Sequence, residues 1–237
     1  MLNRALLEET VRPFGVEIDD GAFHRLDTYA ELLVETNKQF NLTAITEPDE
    51  VTVKHFADCL ALFGVVQFPE NASVIDVGTG AGFPGLVLKL YRPDLQVTFL
   101  DSTKKKLGFI ETVLSAVSLS GETVHLRAEE AGRAPKYRQK FDFATARAVS
   151  DLRNLAEYCL PLVRVNGLFL AMKSAAADEE IIAAKSALAL MGGKIEENRV
   201  FKLVENTDRR VVLVRKISQT PPKYPRPSAK IAKNPLK

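Results

Sequence analysis

Tryptophan is absent from this 237-residue chain, cysteine occurs twice and histidine three times. The two cysteines, Cys59 and Cys159, sit in helical patterns without C-x-x-C or ligand spacing, which argues against a disulfide scaffold and predicts two buried thiols. Three scattered histidines leave no ligand set, and no metal is expected. No apolar run approaches the roughly 18 residues that span a bilayer. The amino terminus, with Glu8 and Glu9 early in an amphipathic pattern, lacks the apolar centre of a secretion signal. A cytoplasmic protein with no membrane partner is the expectation. Acidic residues are also missing from the end of the chain. Nine of the 32 Lys and Arg side chains fall in residues 209–237 with no Asp or Glu, so residues 1–208 carry 23 basic and 30 acidic groups behind a net charge of only +2. Such a tail suits either a polyanionic partner, nucleic acid first, or a solubilising arm.

The stretch around which the chain is arranged runs Val74-Ile75-Asp76-Val77-Gly78-Thr79-Gly80-Ala81-Gly82-Phe83-Pro84-Gly85. A short apolar run stopping at an Asp and a set of glycines reads as a buried parallel strand emptying into a tight turn and a helix N-terminus. Glycines suit a turn whose backbone angles a Cβ forbids and whose main chain a ligand must approach. Gly80, Gly82 and Gly85 also satisfy G-x-G-x-x-G, so the loop alone admits a dinucleotide. A second strand, Val97-Thr98-Phe99-Leu100-Asp101, ends in a carboxylate placed to hold ribose hydroxyls, a feature shared by NAD enzymes and S-adenosyl-L-methionine (SAM) enzymes.

Three-and-four spacing predicts helices over 2–12, 22–38 and 49–63, with Asp19 or Asp20 capping the second and Pro48-Asp49-Glu50 opening the third. His55 and Asp58 share a face of that third helix and read as a local hydrogen-bonded pair. Beyond a linker at 64–71, strands are expected at 73–77, 97–101, 123–127, 141–146 and 167–172. Helices alternate with them at 84–91, 103–117 and 152–160, and another follows at 178–191. Two strand-like runs, 194–204 and 210–217, joined by the polar turn Glu205-Asn206-Thr207-Asp208, read as an antiparallel hairpin. The fold class is therefore α/β: five parallel strands closed by an antiparallel hairpin, the Rossmann-like sheet of class I SAM-dependent methyltransferases, behind an N-terminal helical extension. The expected parts are a helical extension at 1–70, the methyltransferase domain at 71–217, and a basic Pro- and Lys-rich tail at 218–237 that is extended or flexible. An NAD(P)-dependent oxidoreductase shares the first strand and loop but would continue as βαβ. It would also need a hydride-transfer acid such as a Tyr-x-x-x-Lys pair, which is not evident.

Several segments together resemble the RsmG (GidB) family of bacterial 16S rRNA guanine-N7 methyltransferases. They are Asn37 with Asn41-Leu42-Thr43-Ala44-Ile45, Lys54-His55-Phe56 with Asp58, Asp76 through Gly85, Asp101-Ser102, Arg127-Ala128-Glu129, Thr145-Ala146-Arg147-Ala148, Lys173, and the ending Thr220-Pro221-Pro222-Lys223-Tyr224-Pro225-Arg226. Thr36 stands where the family often has Trp. The resemblance implies a SAM-dependent enzyme acting on 16S rRNA or the small ribosomal subunit, with cofactor contacts at Gly78, Phe83, Ala128, Glu129 and Arg147. Gly80 and Gly82 shape the same loop. Asp76 fits a loop orienter or ammonium partner, and Asp101 a ribose acceptor. Guanine N7 has a lone pair and no proton to lose, so direct in-line transfer needs positioning and no general base. Candidates for guanine and RNA contacts are Lys173, Arg209, Arg210, Asn41 and His55, and the protein is expected to be a monomer. Removing the tail is expected to weaken RNA binding and leave SAM affinity nearly unchanged. The remaining alternatives are a non-catalytic RNA- or ribosome-binding protein that keeps the fold and a small-molecule or protein methyltransferase, which the basic tail disfavours.

Overall fold

The computed structural model describes residues 1–204 and 207–236. Among these, seven strands form one sheet in the order β3-β2-β1-β4-β5-β7-β6. The strands are β1 Ser73–Val77, β2 Gln96–Asp101, β3 Glu122–His125, β4 Phe141–Arg147, β5 Val163–Ser174, β6 Gly193–Lys202 and β7 Asp208–Lys216. Strands β1 to β5 pair in parallel, while β7 runs antiparallel to both β5 and β6. The expected hairpin is therefore present; Glu205 and Asn206 of its turn lie outside the described residues.

Parallel strands need both faces covered, and the side chains alternate accordingly. Val74, Val97, Phe99 and Leu170 pack with Leu26, Tyr29, Leu86 and Ile110 on one face. Ile75, Leu100, Phe169 and Val212 pack with Leu155, Leu160, Ile181 and Leu188 on the other. The first layer contains α1 Arg4–Val11, α2 Asp20–Asn37, the helical run 48–65, α6 Gly85–Tyr91 and α7 Lys104–Ala116. The second contains α8 Ala128–Ala131, α9 Leu152–Cys159 and α10 Asp178–Leu190. Leu7, Leu26, Tyr29, Leu33, Phe56 and Leu60 of the amino-terminal helices are fully buried in the same core as the sheet. At about 1.5–3 kcal/mol per buried side chain, they fasten that layer far more strongly than surface ion pairs could. Among the described residues no helix is long and apolar enough to cross a membrane. Cys59 and Cys159 are buried free thiols.

Two departures from the sequence reading shape the site. The run 48–65 is not a uniform α-helix: α3 Pro48–Val51 widens into a π-helical turn over Thr52–Ala57 before α4 Asp58–Leu60 and α5 Leu62–Val65. Such turns re-aim side chains and are frequent at functional sites. The tail is not a free arm. It crosses the second helical layer as a strap and ends in α11 Ser228–Lys233, with Tyr224 and Ile231 buried. Arg226 clamps the fully buried Glu157 of α9 through Nε at 2.8 Å and Nη2 at 2.7 Å, and its backbone N–H donates to the same carboxylate at 2.6 Å. Arg138 donates to the carbonyls of Thr220 and Tyr224, both at 2.8 Å. Lys216 is fully buried and donates to the carbonyls of Leu160 and Met191 at 2.8 and 2.6 Å. Burial without partners would be prohibitive for these cations, which is why each has them.

Candidate active site

Asp76, next to last in β1, is fully buried, with one oxygen committed to the loop that follows and the other to β4. Its Oδ2 accepts from Thr79 Oγ1 at 2.6 Å and from the Gly85 amide at 2.9 Å, and its Oδ1 accepts from Thr145 Oγ1 at 3.1 Å. Burial raises its pKa, and these hydrogen bonds oppose that rise. Of the two roles the sequence allowed Asp76, this geometry matches the loop orienter. Gly78 takes φ +68°, and a Cβ there would sit 2.9 Å from Val149. Gly82 takes φ +109°, and a Cβ there would sit 2.5 Å from Leu86, so it shapes the turn from behind. Asp101, at the end of β2, accepts from the Thr103 amide at 2.8 Å and the Gly80 amide at 3.0 Å, which leaves each oxygen a further lone pair.

Three adjoining clefts follow the carboxyl ends of the parallel strands, where ligands of open α/β sheets bind. The first, about 180 Å³, is lined by Gly78, Asp101, Leu126, Ala128, Glu129 and Tyr158. Glu129 is buried there with no described donor to its carboxylate, and the Ala128 amide, first in α8, has no intrahelical acceptor. The second, about 420 Å³, shares Gly78, Asp101 and Val149 with the first and adds Thr43, Gly80 and Phe83. The third, about 460 Å³, shares His55, Arg147 and Ala148 with the second and adds Asp58, Lys173 and Arg209. Ala148, at the junction, holds φ +57°, a strained conformation for a residue with a Cβ.

Phe83 lines the second cleft and packs against His55 and Arg147, which the second cleft shares with the third. Tyr29 and Phe56 pack against it at centroid separations of 5.1 and 5.6 Å, and Tyr29 Oη donates to the Ala81 carbonyl at 2.7 Å. His55 stacks on Phe83 at 4.5 Å and 26°, and the Arg147 guanidinium lies 4.7 Å from the same ring. Arg147 also donates to the Lys54 carbonyl at 3.1 Å, to Asp58 Oδ2 at 3.2 Å and to His55 Nδ1 at 3.1 Å. Arg209 pairs with the other Asp58 oxygen at 3.3 Å. His55 and Asp58 are thus joined through Arg147; the direct pair expected from helical spacing does not form. Burial raises the Asp58 pKa, and the two arginines oppose it.

Burial, reinforced by Arg147, lowers the His55 pKa from 6.5 to about 3. The imidazole is therefore neutral at physiological pH. Below pH 6.5 the unfolded chain binds a proton that the folded one refuses, so the stability this residue supplies is complete above 6.5 and lost as pH falls toward 3. Urea unfolding of wild type and His55→Gln from pH 7 to 4 is expected to show wild type losing on the order of 2–3 kcal/mol more than the variant. Equal acid sensitivity would mean that His55 titrates normally.

A sequence model described as rRNA small subunit methyltransferase G (GidB) matches residues 22–212. This chain belongs to the GidB family. Relatives named ribosomal RNA small subunit methyltransferase G include one from Acetivibrio thermocellus, 45% identical over 98% of this chain and 96% of its own. Another, from Symbiobacterium thermophilum, is 46% identical over 98% of each chain. The GidB fold also resembles TrmN from Thermus thermophilus, with a TM-score of 0.54 at 17% identity over 70% of this chain and 53% of that one. Fibrillarin from Aeropyrum pernix, solved with bound SAM, gives a TM-score of 0.51 at 15% identity over 67% and 73%. These two likenesses establish the class I methyltransferase fold. Membership of GidB retires the oxidoreductase alternative, as does the antiparallel β7.

Within this GidB chain the expected residues divide sharply. Gly78, Gly80, Phe83, Asp101, Ala128, Glu129 and Arg147 line the clefts, as do His55, Lys173 and Arg209. Lys173 is tied to the Ser150 carbonyl at 2.7 Å and to Glu180 at 2.5 Å. Arg210 is corrected: it lines none of the three clefts, is buried, and is spent on Asp178 at 2.7 and 3.1 Å. Asn41 is exposed beside Leu42 and lines none of the three clefts. Its neighbour Asn37 does the organising, accepting from the Leu42 and Thr43 amides and donating to the Thr43 carbonyl. Sequence reasoning passed over Thr43, Val149, Tyr158 and Ser228 as lining residues. Ser228 carried no local signal, since only the docking of the strap brings it to the first cleft.

Proposed function

We propose that this enzyme transfers the methyl group of SAM to N7 of a guanosine in the 16S rRNA of the small ribosomal subunit. One observation carries the reading: the carboxylates lining the third cleft, where an acceptor would enter, are each ion-paired, Glu180 with Lys173 and Asp58 with two arginines. The Asp58 carboxylate is held between Arg147 and Arg209, and His55 Nδ1 is occupied by Arg147. A carboxylate held by a cation is a weakened base, so the cleft suits an acceptor that has no proton to shed, and N7 has a lone pair and no proton. Membership of a family described by small-subunit rRNA methylation supports the substrate class.

The first two clefts fit SAM by their chemistry. The unpartnered Glu129 carboxylate and the open Ala128 amide match an adenine edge, and the spare lone pairs of Asp101 match ribose hydroxyls. When bound, SAM supplies an electrophilic methyl group on a sulfonium. Phe83 and the Arg147 network hold the wall between donor and acceptor rigid, so positioning supplies the acceleration. Asp58 offsets the charge of the arginines beside a purine that becomes cationic.

Incubation with tritium-labelled SAM and small subunits lacking the modification is expected to place label in 7-methylguanosine alone. With no titrating base, turnover is expected to vary by less than about threefold between pH 6.5 and 8.5. Label in another nucleoside, or none in RNA, would refute the reading.

A further inference from the structure

The loop between α2 and α3 holds a hydrogen-bond relay whose last proton has no acceptor among the described residues. Arg147 can only donate, so the 3.1 Å contact to His55 makes Nδ1 an acceptor. The neutral imidazole then carries its one ring proton on Nε2 and donates to Thr43 Oγ1 at 2.8 Å. The Ile45 amide donates to the same oxygen at 3.1 Å. A hydroxyl oxygen has two lone pairs, and both are taken. The Thr43 hydroxyl is thereby converted into an obligatory donor. Its backbone is clamped by Asn37 at 2.7–3.0 Å, and the residue is half-buried on the wall of the second cleft. Leu42 and Thr43 line the second cleft and Ile45 the third, so the loop spans the boundary between donor and acceptor.

The edge of guanine that carries N7 also carries O6, a second acceptor; adenine presents N7 beside an N6 amino donor. A hydroxyl that can only donate satisfies O6 and leaves an adenine amino group facing another donor. We infer that Thr43 selects guanine by donating to O6 of the base whose N7 takes the methyl, an assignment that rests on the guanine-N7 reading above. A neutral donor recognises O6 without adding a formal charge beside a ring that becomes cationic, which an Arg or Lys at this position would do.

The test pairs a protein change with a substrate change that leaves the protein untouched. Small subunits are reconstituted with guanosine or 2-aminopurine, which keeps N7 and lacks O6, at the nucleotide that labelled SAM identifies. Wild type is expected to lose roughly 10- to 100-fold in kcat/KM on the 2-aminopurine substrate, and Thr43→Val a similar factor on guanosine. Combining the two changes should cost little more than either alone. Thr43→Ser should recover activity to within about threefold, and SAM affinity by calorimetry should stay within about twofold in both variants. Losses that multiply when the two changes are combined would overturn the assignment. A SAM affinity that falls in step with activity would also overturn it, by placing the hydroxyl on the cofactor. Absence of wild-type label in guanosine would instead bring down the guanine-N7 reading and Thr43 with it.

Discussion

Gly78→Val yields a folded protein with no measurable affinity for SAM. Gly78 sits where the first and second clefts meet, at φ +68°, and an added Cβ lies 2.9 Å from Val149 Cγ2. A β-branched side chain is poorly tolerated in that left-handed region, at a cost of about 1–3 kcal/mol. The greater expected effect is steric, because the side chain would crowd Val149 at the junction of the two clefts proposed to hold the cofactor. The loop itself remains anchored, since Asp76 holds it through Thr79 and Gly85, and the amides of Gly78 and Thr79 donate to the Leu100 carbonyl at 2.8 and 3.1 Å. The expected loss exceeds about 100-fold in affinity, close to 3 kcal/mol, by calorimetry on protein whose circular dichroism matches wild type. Retained binding would place the cofactor elsewhere on the sheet edge.

Arg226→Ala is expected to have the largest effect on stability. The Glu157 carboxylate has no solvent exposure, and the Arg226 side chain supplies its only charged partner among the described residues. Removing one member of a buried pair leaves an uncompensated charge, at a cost of about 3–5 kcal/mol. For a chain of this size that lowers Tm by roughly 10 °C. Glu157→Gln in the same protein should recover part of the loss, because the stranded charge is then gone. Deletion of residues 218–237 should destabilise at least as much, since Tyr224 and Ile231 also leave the core. It should weaken SAM binding too, because Ser228 lines the first cleft. This reverses the expectation that the tail is dispensable for the cofactor. A truncated protein with wild-type Tm and wild-type SAM affinity would show the strap to be incidental.

Much of this molecule was legible in its sequence because the relevant physics is local. Apolar alternation, glycines after Asp76 and the carboxylate at Asp101 each act within a few residues, so the succession of strands, the closing hairpin and the glycine loop could be read without coordinates. Helix boundaries moved by a few residues and the π-helical turn at 52–57 went unseen, since no side-chain spacing announces it. What only the tertiary structure decided was which charges are free. Arg147, Arg209, Arg210, Lys216 and Arg226 look alike along the chain, yet one organises the third cleft, one shares its buried carboxylate, and three are spent on holding the fold. The partners that decide this are distant in sequence, 25 residues for Lys216 with Met191 and 89 for Arg147 with Asp58. Coulomb attraction and hydrogen bonding depend on distance and burial in space, and the chain acquires both only when it folds.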